Sequence, residues 1–162
     1  MRGANVEDIF DSFRMIELSF AVQLATSVIC GGIVGFERQL RRKAVGIRTG
    51  ILICLATHIF VRLSITLDSS DVDPTRVIGQ VVTGVGFLGA GVILARGGSI
   101  TGVTSAAVVW MLAAIGSTIG VGRPAEALVL TILVVAILIG VRLLESAFKR
   151  LRGGYDEPEE LE

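Results

Sequence analysis

The sequence predicts an all-α fold, a polytopic membrane bundle of about five transmembrane helices. Three observations carry that prediction. Hydrophobic residues make up 52% of the chain and charged residues 19%, with a mean hydropathy of +0.74. So little polar surface cannot cover a water-soluble domain of 17.1 kDa. The charge-free stretches Leu18–Phe36, Val77–Ala95 and Gly97–Gly122 are each long enough to cross a hydrocarbon core of about 30 Å at about 1.5 Å per residue. Finally, Lys and Arg crowd into some connections and avoid others, the asymmetry that orients membrane proteins.

The elements follow in order. Residues 1–17 place Val6, Ile9, Phe10, Phe13 and Ile16 at helical spacing, with Glu7, Asp8, Asp11 and Arg14 between them. That pattern predicts a short amphipathic helix lying at the outer interface. Met1-Arg2-Gly3 lacks the basic and apolar regions of a signal peptide, so no cleaved leader is expected. The spans are expected at 18–36, 47–67, 77–95, 103–121 and 125–144, together a transmembrane domain over 18–145. The second span is interrupted by Arg62 and resumes over Leu63–Leu67. The fifth continues past Ala127–Val141 through Leu143 and Leu144, with Arg142 snorkelling near its end. Residues 146–162 turn from basic to acidic, with Gly153, Gly154 and Pro158, and are expected to be a disordered tail.

Orientation comes from the basic residues. Arg38, Arg41, Arg42, Lys43 and Arg48 surround the first connection, and Arg96, Arg142, Lys149, Arg150 and Arg152 share its side of the membrane. Arg2, Arg14, Arg76 and Arg123 lie on the other. The richer side belongs in the cytoplasm, so the N-terminus is expected outside and the C-terminus inside.

Several function classes drop out. The 15 basic and 15 acidic residues cancel, which removes the electrostatic case for nucleic acid. Two Cys and one His cannot build a disulfide scaffold or a His/Cys zinc site. Cys30 and Cys54, at similar depth in their helices, read as a reduced, packed pair. Gly84-Val85-Gly86-Phe87-Leu88-Gly89 formally matches a dinucleotide fingerprint, but no strand precedes it and it sits in mid-span. No catalytic triad, carboxylate pair or phosphate loop is present, so the protein is not expected to be an enzyme and no cofactor is called for.

What remains are glycines and charges inside the spans. Gly31 and Gly35, Gly84, Gly86, Gly89 and Gly91, and Gly116 and Gly120 suit close helix contact, first within the chain and second between copies, with a homodimer favoured. The Gly84–Gly91 run could also unwind and expose carbonyls to a cavity or gate. Glu37 and Arg48 meet the cytoplasmic boundary and are expected to pair across the first hairpin. Arg62 lies about 21 Å beyond Arg48 at helical rise, in the outer leaflet. Glu17 and Glu126 are its expected partners, and His58 shares its face four residues earlier. The outer loop offers Asp68, Asp71 and Asp73 as oxygen donors for a divalent cation such as Mg²⁺, with Glu37 a further donor. Without the glycine and distal Glu of an EF-hand, that loop reads first as a solvated turn.

Four blocks in order resemble one family. Gly35-Phe36-Glu37-Arg38-Gln39 is followed by Gly46-Ile47-Arg48-Thr49. Asp73-Pro74-Thr75-Arg76 leads into the run from Gln80 to Ile93, and Gly102-Val103-Thr104-Ser105-Ala106-Ala107 leads to Trp110 and Ala114-Ile115-Gly116. Over residues 18–145 the chain resembles the MgtC/SapB family. The resemblance implies a multi-pass protein of the prokaryotic inner membrane, linked to magnesium homeostasis, growth at low Mg²⁺ and, in some pathogens, survival inside host cells. It also implies a link to the F-type ATP synthase. The chain departs from the pattern at Gly50, where Asn or His is usual, and at Met111, where some members have Cys. Its end soon after the fifth helix leaves no ACT-like cytoplasmic domain to expect.

These readings converge on a transporter or sensor of Mg²⁺ or another cation. Glu37, Arg38, Arg48 and Thr49 would form its cytoplasmic-side site, and Gly84–Gly91 would line a cavity. The alternative is a regulatory module, without transport of its own, that docks another membrane complex. A third option is a scaffold with no ligand. Expected partners are the lipid bilayer, a second copy and a membrane protein, with no nucleic acid.

Overall fold

The computed structural model describes residues 6–66, 74–96 and 99–152. They form α1 (Val6–Leu40), α2 (Ile47–Thr66), α3 (Pro74–Val92), β1 (Leu94–Arg96), β2 (Ser99–Thr101), α4 (Val103–Gly120) and α5 (Pro124–Arg152). Each of the five helices contains a stretch long and apolar enough to cross a membrane. In hydrocarbon the backbone can hydrogen-bond only to itself, so apolar stretches of this length become helices.

Beyond shifts of a few residues at helix ends, three features differ from expectation. The amphipathic start is not a separate helix, because α1 runs unbroken from Val6 through the first span. Leu94 and Ala95 leave α3 for a short hairpin, pairing Leu94 with Thr101 and Arg96 with Ser99. Ser146–Arg152 continue α5 instead of starting the tail. The rest of the expected tail and the loop containing Asp68, Asp71 and Asp73 lie outside the described residues.

α4 is the central helix. Over half of its apolar stretch is buried (56%), against 11% for α3 and 17% for α5. Its fully buried Leu112, Ile115 and Ile119 meet Cys30 and Val34 of α1 and Cys54 of α2 in one core. Glycine allows close crossings of α1 with α2 and of α2 with α4. A Cβ on Gly31 would lie 2.5 Å from the Gly50 carbonyl oxygen, and one on Gly120 would lie 2.9 Å from that of His58. Small residues let the backbones approach this closely, and dispersion between them holds the helices together in lipid. The expected packing within the chain is thus seen at Gly31, Gly35, Gly116 and Gly120. α3 and α5 turn most of their surface outward, as lipid-facing helices do.

Candidate functional site

The last two turns of α1 carry charge into the protein. Close contact of Gly35 with Gly46 and Ile47 brings the start of α2 onto α1. Away from that contact, Glu37 (7% exposed), beside Val135 and Ile139 of α5, and Arg38 (4%), against the start of α4, are buried. A buried ion is tolerated when its hydrogen-bonding positions are filled. Glu37 accepts a hydrogen bond from Arg41 Nε, one helical turn on. Arg38 Nη2 donates to Ser105 Oγ in the first turn of α4, at 2.9 Å. Gln39 Oε1 accepts from the Ile47 N–H at the start of α2. Two atoms, Glu37 Oε2 and Arg38 Nε, are buried with no partner among the described residues.

The expected Glu37–Arg48 pair does not form. Ile47 and Gly50 face α1, and Arg48, about 100° from Ile47 around the helix, is exposed. Arg41, on the same row as Glu37, takes its place. Thr49 is separated from both: it lines an apolar cavity of about 660 Å³ between α2 and α3, with Leu52, Phe60, Gln80 and Gly84. Of the four residues expected to share one site, the structure brings together Glu37 and Arg38.

The glycine run of α3 is helical throughout, so the expected unwinding is absent. Intrahelical hydrogen bonding is the cheapest way to satisfy that backbone, and the helix ends at Val92 instead. Gly89 rests against Ala106 and Trp110 of α4, whereas Cβ atoms on Gly84, Gly86 and Gly91 would meet nothing within 4 Å. Gly84 alone of the four lines the cavity between α2 and α3.

At the opposite end, His58 and Arg62 do come together, through α1. His58 is fully buried, its Nδ1 3.0 Å from Ser27 Oγ and its Nε2 3.3 Å from Gln23 Oε1. An Nε2–H tautomer donates to Gln23 Oε1, while the Ser27 hydroxyl beside Nδ1 has the Gln23 backbone carbonyl, at 2.9 Å, as a second acceptor for its single proton. Arg62 Nη1 donates to the same Gln23 Oε1 at 2.6 Å and stacks its guanidinium 4.6 Å from the Phe20 ring centroid. Glu17 and Glu126 do not pair with it. Glu126 instead accepts from Arg123 at the exposed start of α5, and Glu17 is exposed. A neutral amide and an aromatic face serve Arg62 where the reading of the residues called for a carboxylate.

Cys30 and Cys54 are free and buried, and Cys54 Sγ donates to the Leu112 carbonyl. Sequence reasoning missed Gln23, Phe20, Arg41 and Ser105. Gln23 and Ser27 repeat at i,i+4 on an otherwise apolar span, a signal that was available. Nothing along the chain marked Ser105 as the partner of Arg38. Among the described residues, no group of three or more His, Cys, Asp or Glu side chains could hold a metal. Arg38, Arg41, Arg42, Lys43 and Arg142 line a cavity at the end of the bundle formed by the turn after α1, the start of α4 and the second half of α5, with Glu145 the one carboxylate among its lining residues.

Comparison with known proteins matches residues 24–147 to the MgtC family. Protein MgtC of Brucella abortus (strain 2308) is 39% identical over 140 residues, 85% of this chain and 58% of that protein. YhiD of Escherichia coli (strain K12), provisionally named a magnesium transporter, is 44% identical over 110 residues, 64% of this chain and 51% of its own. Protein MgtC of Salmonella typhimurium (strain LT2) is 36% identical over 138 residues, with coverage of 85% and 58%. The chain therefore spans a little over half the length of these relatives. No solved structure matches it.

Proposed function

The chain belongs to the MgtC family, and from that premise we propose that it serves magnesium homeostasis as a regulatory module of the prokaryotic inner membrane. In this reading its basic end lies in the cytoplasm and it conducts no ion itself. The observation that carries the reading is the sign of the charge at the basic end. Arg38, Arg41, Arg42, Lys43 and Arg142 gather there around a cavity with Glu145, and Glu37 offsets Arg41. A divalent cation about 6 Å from one uncompensated guanidinium is opposed by roughly 5 kcal/mol at an effective dielectric of about 20. A Mg²⁺ path through this end would have to overcome several such terms. The outward glycines of α3, beside the cavity between α2 and α3, supply a surface on which a helix of another membrane protein can seat closely.

The test pairs growth with flux. The chain should support growth at low Mg²⁺ in a strain lacking its own MgtC relative. The same folded protein in proteoliposomes should give Mg²⁺ entry no faster than empty vesicles. Uptake above that blank would overturn the regulatory reading in favour of transport, the role in YhiD's provisional name.

A further inference from the structure

We propose that the cavity at the basic end binds the phosphate group of an anionic phospholipid. This assignment does not depend on the regulatory reading. The cavity, about 640 Å³, lies between the turn after α1, the start of α4 and the second half of α5. Arg38, Arg41, Arg42, Lys43 and Arg142 line it against Glu145. With Arg41 engaged by Glu37, the wall keeps a surplus of positive charge.

Two backbone features point the same way. α4 begins on the cavity wall at Gly102–Ser105, and no side chain caps it. The first N–H groups of an uncapped helix carry partial positive charge and favour an anionic acceptor. Gly102 itself is required by the fold: its φ is +93°, and a Cβ there would strike the Val92 carbonyl. Arg42 is the second feature. Lys43 N–H donates to Arg38 O at 3.1 Å and Arg42 N–H to Gln39 O at 3.0 Å, closing α1 in a Schellman pattern. The left-handed position of that pattern, φ 53°, is occupied by Arg42. At the end of α4 the same two hydrogen bonds form around Gly122, at φ 85°. Where glycine would close the helix without strain, this chain keeps a guanidinium at the mouth of the cavity.

An independent observation comes from Arg38. It lines the cavity at 4% exposure, and its Nε has no acceptor among the described residues, although Nη2 is held by Ser105. A buried guanidinium with an unfilled donor is strongly stabilised by a nearby anionic oxygen, and phosphate oxygens match its geometry. The remaining wall chooses the source of the phosphate. Val92, Ile137, Leu138 and Val141 line the same cavity, and Ile137 and Val141 also face outward on α5. Phosphate and acyl chain would thus find their surfaces side by side, at the depth where a lipid headgroup sits.

Native mass spectrometry of the detergent-solubilised chain, titrated with phosphatidylglycerol or phosphatidylcholine, tests the proposal. Phosphatidylglycerol should be retained in preference. The double variant R42Q/K43Q, which removes two basic contacts, should weaken that retention about thirtyfold. Arg42→Gly removes one of those two charges while easing the backbone, so it should melt no lower than the parent and still lose lipid. Arg38→Gln should also lose lipid, and Arg42→Gly keeps the test valid if Arg38→Gln fails to fold. Equal retention of the two lipids, or retention unchanged in the folded Arg42→Gly variant, would overturn the proposal. Stabilisation by inorganic phosphate without lipid retention would also overturn it, as a free-anion site.

Discussion

Glu37 and Arg48 show what burial does to two residues expected to act as a pair. The Glu37 carboxylate is buried and held by Arg41, while Arg48 projects from the first turn of α2 into open surroundings. Removing one member of a buried pair leaves the other uncompensated, at about 3 kcal/mol, whereas an exposed side chain away from any network changes stability by about 0.5 kcal/mol or less. Thermal unfolding in detergent should therefore separate Glu37→Gln, markedly destabilised, from Arg48→Gln, which should melt like the parent. Equal losses would mean that Arg48 is tied to the cluster after all. At this scale the chemistry of the site was legible and its connections were not. Charges this deep in apolar spans announce a need for partners. Whether a partner is Arg41, Ser105 or an amide such as Gln23 depends on helix rotation, which periodicity on a nearly all-apolar span leaves undefined.

Among the elements, the glycines divide by what faces them. Gly31 and Gly35 of α1, Gly50 of α2 and Gly116 and Gly120 of α4 are pressed against neighbouring backbones: a Cβ on Gly116 would collide with Thr57 and the Cys54 carbonyl. Gly84 and Gly86 sit in an equally regular helix with nothing opposite. Gly116→Ala should consequently disrupt the α2–α4 crossing and lower the melting temperature. Gly84→Ala should stabilise the folded chain by up to about 1 kcal/mol, through helix propensity alone. If Gly84→Ala proved as damaging as Gly116→Ala, α3 would have to unwind or contact another element closely in the working state. All five helices were readable from apolar length, and α4's start and end fell within a residue of expectation. The hairpin after α3 was not, because two three-residue strands carry no periodic signal that survives beside a long apolar run.

For the whole molecule, charge distribution and packing make separate statements. The basic turn after α1, the start of α4 and the second half of α5 gather at one end of the bundle, so the side-by-side placement expected from loop charges is met by the fold. Which side of the membrane that end occupies follows from the positive-inside rule and is directly testable. In cells expressing Ala44→Cys, an impermeant maleimide should label the protein only after permeabilisation, while Val121→Cys should be labelled in intact cells. Native Cys30 and Cys54, both fully buried, should stay silent in either case. The reverse pattern would turn the protein over and place the basic cavity outside. Length, apolarity and the asymmetry of Lys and Arg are properties of the chain read in one dimension. They sufficed to determine a five-span helical membrane protein and its expected orientation, because lipid leaves the backbone almost no other choice. Which charges are buried, which glycines touch and where a cavity opens were decided by the rotation and crossing of helices distant in sequence. Arg38 and Ser105, 67 residues apart, meet only because α4 passes through the middle of the bundle.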